Sequence, residues 1–133
     1  MCVYLYFSVI PAKRVRLLGV NNRGKVPNKS GRLEVWYKGE WGTVCGELFD
    51  DNDAAVVCRT IGLTGGAKLF PQGYGFYYRD SRDIEMGRIA SGPIWIDEVA
   101  CTGFEQDFLD CPRPLGVNVH DCSHHEDVYM KCT

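Results

Sequence analysis

Seven cysteines stand in this 133-residue chain, at positions 2, 45, 58, 101, 111, 122 and 132, and six of them fall in the last ninety residues at irregular spacings. That density is foreign to a reduced cytosolic protein and points to disulfides formed in a secretory or extracellular compartment. A thiolate zinc site has little support, because zinc ribbons present paired CxxC-like ligands, whereas the closest cysteines here have nine residues between them. Cys2 is the odd one, either unpaired or bonded outside the chain. The length suits one domain, at a size where covalent cross-links still add usefully to stability.

The formal charge of −2 hides an asymmetry: residues 1–38 carry eight Lys or Arg against the single acid Glu34, and the remainder carries seven against sixteen. The basic arm reads either as solvated surface or as a contact zone for polyanions. No nucleic-acid motif accompanies it, so DNA and RNA are not expected partners. The opening MCVYLYFSVIPA is apolar, but it lacks the positive start of a secretory leader and the length of about 20 residues needed to span a bilayer. It reads as the end of a leader, a buried first strand or an extraneous segment. Residues 1–14 are therefore set apart from a single domain at 15–133, and any membrane attachment is expected through a longer parent chain.

Along the chain, VRLLGV and RLEVWY-KGE-WGTVC read as strands. Leu33 and Val35 alternate with charge, and the Lys38-Gly39-Glu40 turn makes the second pair an antiparallel hairpin. FDDNDAAVVCRTIGL reads as one short helix, with acids at its start, Ala54, Cys58 and Ile61 at helical spacing, and Gly62 as its C-cap. The stretch from Thr64 to Gly92 reads as a long loop with a brief strand, PIWIDEV as another alternating strand, and the tail from Thr102 as loops tied by bridges. Asn28-Lys29-Ser30 is a glycosylation acceptor. Tyr74, Phe76, Tyr77 and Tyr78 form either a contact surface or a cover for the sheet.

Taken in order, VRLLG, GRLEVWYKGEWGTVC, DAAVVCRTIGL, GPIWIDEVACTG and DCSHHEDVYMKC resemble the scavenger receptor cysteine-rich domain in its six-cysteine form. The gaps of twelve residues between Cys45 and Cys58 and nine between Cys101 and Cys111 match that pattern. Six cysteines allow fifteen pairings; the resemblance implies Cys45 with Cys122, Cys58 with Cys132, and Cys101 with Cys111. It also implies an α+β fold, a curved antiparallel sheet cradling one helix, in agreement with the strands and helix read above. Two departures stand out. The run Gly46-Glu47-Leu48-Phe49 lacks one of the two acids the family places after its first cysteine, and Phe49 replaces a Trp. The segment between Cys58 and Cys101 is also longer than usual.

HDCSHHEDV, from His120 to Val128, gathers all three histidines with a cysteine and three carboxylates. Adjacent His124 and His125 point apart in an extended segment, unlike the i, i+4 pair of HExxH, so catalytic zinc is not expected. A disulfide at Cys122 removes the thiol as ligand and nucleophile. A hard cation fits better: Glu126 and Asp127 offer oxygens, and a Cys45–Cys122 bridge brings Glu47 beside them, which suits calcium. The resemblance carries Glu47 and Glu126 over as cation ligands and points to Asp97 and Glu98 as a second acidic pair, which solvated polar residues at a strand end would explain nearly as well. His124 is expected to be a structural hydrogen bonder, and His120 and His125 to face solvent.

The expected function is that of a non-enzymatic extracellular recognition module. A weakly held calcium would face polyanionic or protein ligands, and Arg79, Arg82 and Arg88 would add positive charge. An accessory domain of a larger secreted enzyme, of lysyl-oxidase-like or mosaic serine protease type, is the alternative, and a structural spacer the third reading.

Overall fold

The structure is a computed structural model, and it describes residues 13–19, 29–71, 90–113, 116 and 120–133. Cys2, Asn28, the aromatic run Tyr74, Phe76, Tyr77 and Tyr78, and the arginines Arg79, Arg82 and Arg88 lie outside the described residues. Strands β1 (Val15–Leu18), β2 (Ser30–Tyr37) and β3 (Glu40–Val44) come first, followed by helix α1 (Asp51–Ile61), then β4 (Ala67–Leu69), β5 (Ile94–Ile96) and β6 (Tyr129–Cys132). They make one six-stranded sheet in the order β4-β6-β2-β3-β5, with β1 paired to the other edge of β2. The sheet curls around α1. No helix among the described residues is long and apolar enough to cross a membrane.

The β2–β3 hairpin forms as its sequence dictates. Lys38 and Gly39 both take positive φ, 50° and 79°, the two-residue turn whose twist matches that of the strands it joins. Leu33 and Val35 point inward and are fully buried. On the opposite face Glu34 is also buried, because Arg16 and Arg32 both close on its carboxylate, at 2.7 and 3.0 Å. Arg16 additionally stacks 3.9 Å over the Trp41 ring. Part of the basic arm is thus engaged within the fold, and so is Lys13, whose Nζ donates to Ile61 O at the helix C-terminus.

Helix α1 is stopped at both ends by its own residues. Asp50 and Asp53 accept each other's backbone N–H in a capping box, and Gly62 ends the helix at φ 98°, a left-handed conformation in which glycine pays no Cβ penalty. Ala54, Val57, Cys58 and Ile61 turn into the core beside Leu17, Leu33, Val35 and Met130. Three disulfides close the fold, Cys45–Cys122, Cys58–Cys132 and Cys101–Cys111, the pairs that the resemblance implies.

Two elements differ from their sequence reading. The alternation in PIWIDEV suggested a half-buried strand, yet Ile94, Trp95 and Ile96 are all buried, and β5 runs parallel to β3. Trp95 is covered because Gly42 leaves room for it: a Cβ there would sit 2.3 Å from the indole ring. The ring's Nε1 donates to Glu40 O at 3.0 Å. The tail, expected as loops tied by bridges, also contributes β6, which pairs with both β2 and β4. Four residues are too few to display a period, and both partners are distant in sequence.

Candidate cation site

The HDCSHHEDV stretch reaches the sheet through main-chain bonds. Val128 N donates to Val44 O, Asp127 forms a bridge opposite Cys45, and Gly46 N donates to Glu126 O at 2.6 Å. With the Cys45–Cys122 bridge added, this zipper lays the tail alongside the loop that leaves β3. Cys45 N in turn donates to Ile96 O, so the end of β5 arrives at the same place.

Four acids from three separate segments therefore meet around one disulfide. Carboxylate oxygens of Glu47 and Asp97 lie within 4.8 Å of each other and of the Cys45 and Cys122 sulfurs. Glu126 Oε2 is 3.9 Å from Cys45 Sγ, and its Oε1 accepts Ser123 N at 3.1 Å. The sulfurs are bonded to each other, which leaves oxygen as the available donor. Asp121 repels Glu47 most strongly, followed by Asp97, and together they push the Glu47 carboxyl above its usual range. Burial does the same to Asp97; the Glu98 backbone N–H pulls its carboxyl back in part, while Asp121 and Glu126 add repulsion. Asp97 is only 1% exposed, yet among the described residues neither of its oxygens has a hydrogen-bond partner of full geometry. A buried carboxylate without donors is costly. A cluster of this kind is unfavourable until a cation neutralises it.

The sequence-derived candidates separate on this geometry. Glu47 and Asp97 converge, and Glu126 flanks them, its Oε2 3.9 Å from Cys45 Sγ. Glu98 stands at the margin, near enough to raise Glu47, in a left-handed conformation of φ 52°. Asp127 is held elsewhere: it is 2% exposed, and its carboxylate lies 2.9 Å from His124 Nδ1. His124 Nε2 donates to Gly92 O at 2.8 Å, so this histidine is a structural hydrogen bonder. His125 is exposed. His120 is half-buried, and its Nδ1 accepts Cys122 N at 3.2 Å. Asp121 was missed by sequence reasoning, although it sits beside Cys122; only the disulfide carries it to Glu47. At Gly46, where the resemblance led us to expect an acid, an added Cβ would stand 3.0 Å from Glu126 O.

A profile of the scavenger receptor cysteine-rich domain matches residues 23–133. The macrophage receptor MARCO of Mus musculus is 38% identical over 121 residues, which is 91% of this chain but 19% of that protein. The chain thus spans about a fifth of that relative. Among solved structures, the third such domain of murine neurotrypsin aligns with a TM-score of 0.67 at 35% identity, covering 89% of this chain and 94% of that one. The dimeric form of the corresponding domain of mouse MARCO aligns with a TM-score of 0.62 at 32% identity, covering 84% and 96%.

Proposed function

Because the chain belongs to the scavenger receptor cysteine-rich family, we propose that it is an extracellular, non-catalytic recognition domain whose Glu47, Asp97 and Glu126 hold a calcium ion, with Asp121 and Glu98 completing the negative field. The observation that carries the cation is Asp97, a buried carboxylate with no hydrogen bond of full geometry among the described residues, only the nearby Glu98 N–H, and with other acids around it at a disulfide. Calcium accepts carboxylates in flexible geometry, and extracellular modules hold it with a Kd of about 10⁻⁴ to 10⁻³ M. The bound ion would leave a coordination position for a sulfate, phosphate or carboxylate on a polyanionic or protein ligand. Arg79, Arg82 and Arg88, outside the described residues, would add attraction that weakens with salt. Three disulfides support an extracellular setting.

Thermal unfolding with calcium and with chelator tests the ion. Calcium should raise the midpoint, since a ligand bound only by the folded state stabilises it. Asp97→Asn and Glu126→Gln should each remove that rise, whereas His125→Ala should keep it. A calcium response that survives both carboxylate changes would refute the assignment; so would tight zinc binding dependent on His124 and His125.

A setting within a larger secreted enzyme is the second reading. What supports a longer parent chain is that the murine neurotrypsin domain is the third of its kind in that protein and that the matched region is 19% of MARCO. Activity would then lie outside these residues.

A further inference from the structure

Two large apolar side chains stand in water at the N-terminal end of α1. Leu48 is 70% exposed and Phe104 is 85% exposed, and no other large hydrophobic residue among those described is so open. Leu48 lies two residues before the N-cap Asp50. The Phe104 loop rests on the same end, where Gly103 approaches Asn52 so closely that a Cβ would be 3.1 Å from its Oδ1, and Cys101 N donates to Asp53 Oδ1 at 2.8 Å.

Neither position is an accident of a loose loop. Leu48 has φ 62°, a backbone conformation in which a leucine is strained and a glycine is not. Strain and exposed apolar surface at one residue bring the isolated fold no benefit, and such outliers gather at binding sites. Phe104 is presented by a fixed turn. Glu105 accepts from Thr102 N, Thr102 Oγ1 and Gly103 N at 2.9 to 3.1 Å, and Phe104 N donates to Thr102 Oγ1 at 3.2 Å. A side chain ordered before contact loses little entropy on binding.

The charge around the pair identifies what it meets. Segments 46–58 and 97–112, which build this end, hold nine acids and no Lys, Arg or His; Asp53 and Asp97 are buried, which leaves seven at or near the surface, and the neighbouring cation Arg59 is engaged by the Glu105 carbonyl. We propose that Leu48 and Phe104 are the apolar anchors of a docking surface for a protein partner whose contact face combines apolar side chains with lysine or arginine. The proposal rests on the recognition reading above but not on its cation. Apolar anchors supply the affinity and the acidic surround selects the partner's sign.

Three immobilised 15-residue peptides test it in chelator: an amphipathic one of Lys and Leu, one with Ser in place of Leu, and one with Glu in place of Lys. The chain should bind the Lys/Leu peptide about tenfold more tightly than either other. Leu48→Gly and Phe104→Ser should each weaken that binding about fivefold. Leu48→Gly should leave the thermal midpoint no lower than in the parent, because it relieves a left-handed leucine; it carries the decision alone if Phe104→Ser unfolds. Equal binding of the Glu/Leu peptide would overturn the charge argument, and undiminished binding by the Leu48 variant would overturn the anchors. Leu48-dependent self-association in sedimentation would assign the face to a second copy instead. The calcium response of both variants should match the parent, so loss of the cation reading and loss of this one are told apart.

Discussion

His124 holds Asp127 by Nδ1 at 2.9 Å and Gly92 O by Nε2 at 2.8 Å, and so ties the short turn before β6 to the segment entering β5. Both ring nitrogens are committed. Nε2 must donate to the carbonyl, and a proton must lie between Nδ1 and the carboxylate, whether on His124 or on Asp127. Burial pushes the Asp127 carboxyl up, while Thr43 and His124 hold it down. His124→Ala should therefore leave the buried carboxylate with Thr43 as its remaining hydrogen-bond partner and cost about 2 kcal/mol. Denaturant titration of this variant, of Asp127→Asn and of the double variant checks it: the double change should cost less than the sum of the two.

Acid should loosen the Phe104 turn. Donors from Thr102, with Gly103 behind them, hold Glu105 down to about 2, below its unfolded value of about 4.3. A depressed carboxylate contributes stability that is present above the unfolded pKa and lost as pH falls through the folded one. The gap in thermal midpoint between the parent and Glu105→Gln should thus be widest above about pH 5 and shrink as pH approaches about 2. A gap constant over that range would show that the carboxylate charge contributes nothing.

Gly42→Ala should be severe for a residue within a strand. The new methyl would meet Trp95 Cδ1 at 2.3 Å, Nε1 at 2.6 Å and Pro93 O at 2.8 Å, so β5 must shift away from β3. The expected loss is about 2 to 3 kcal/mol. Since β5 delivers Asp97, the calcium response should weaken with it. Trp95→Phe in the same background should restore part of the stability.

Gly46→Asp should strengthen calcium binding. It adds a carboxylate at the position where the family resemblance places one, and its Cβ would stand 3.0 Å from Glu126 O, so that backbone carbonyl, which Gly46 N already holds, must give by a few tenths of an ångström. Calorimetry should show a tighter Kd than in the parent, with a somewhat lower metal-free midpoint because one more acid joins the cluster. An unchanged affinity would place the ion away from this loop.

Local and repeating features can be read from the order of residues alone. The hairpin was legible in the alternation around Leu33 and Val35 and in its turn. The helix was legible in its caps and in Ala54, Cys58 and Ile61. These signals are readable because they rest on neighbours within a few residues. Glu47, Asp97 and Glu126 were legible as acids of interest, through the resemblance more than through any period. Tertiary structure alone decided the rest. Asp121 joins the site because a bridge spanning 77 residues brings it there. Asp127 leaves it because His124 lies within reach. β6 becomes a central strand because two distant strands accept it, and Leu48 and Phe104 emerge as an exposed pair only once the helix start and the Cys101–Cys111 loop are folded together. Side-chain burial and long-range pairing depend on which segments meet, and spacing along the chain does not encode which those will be.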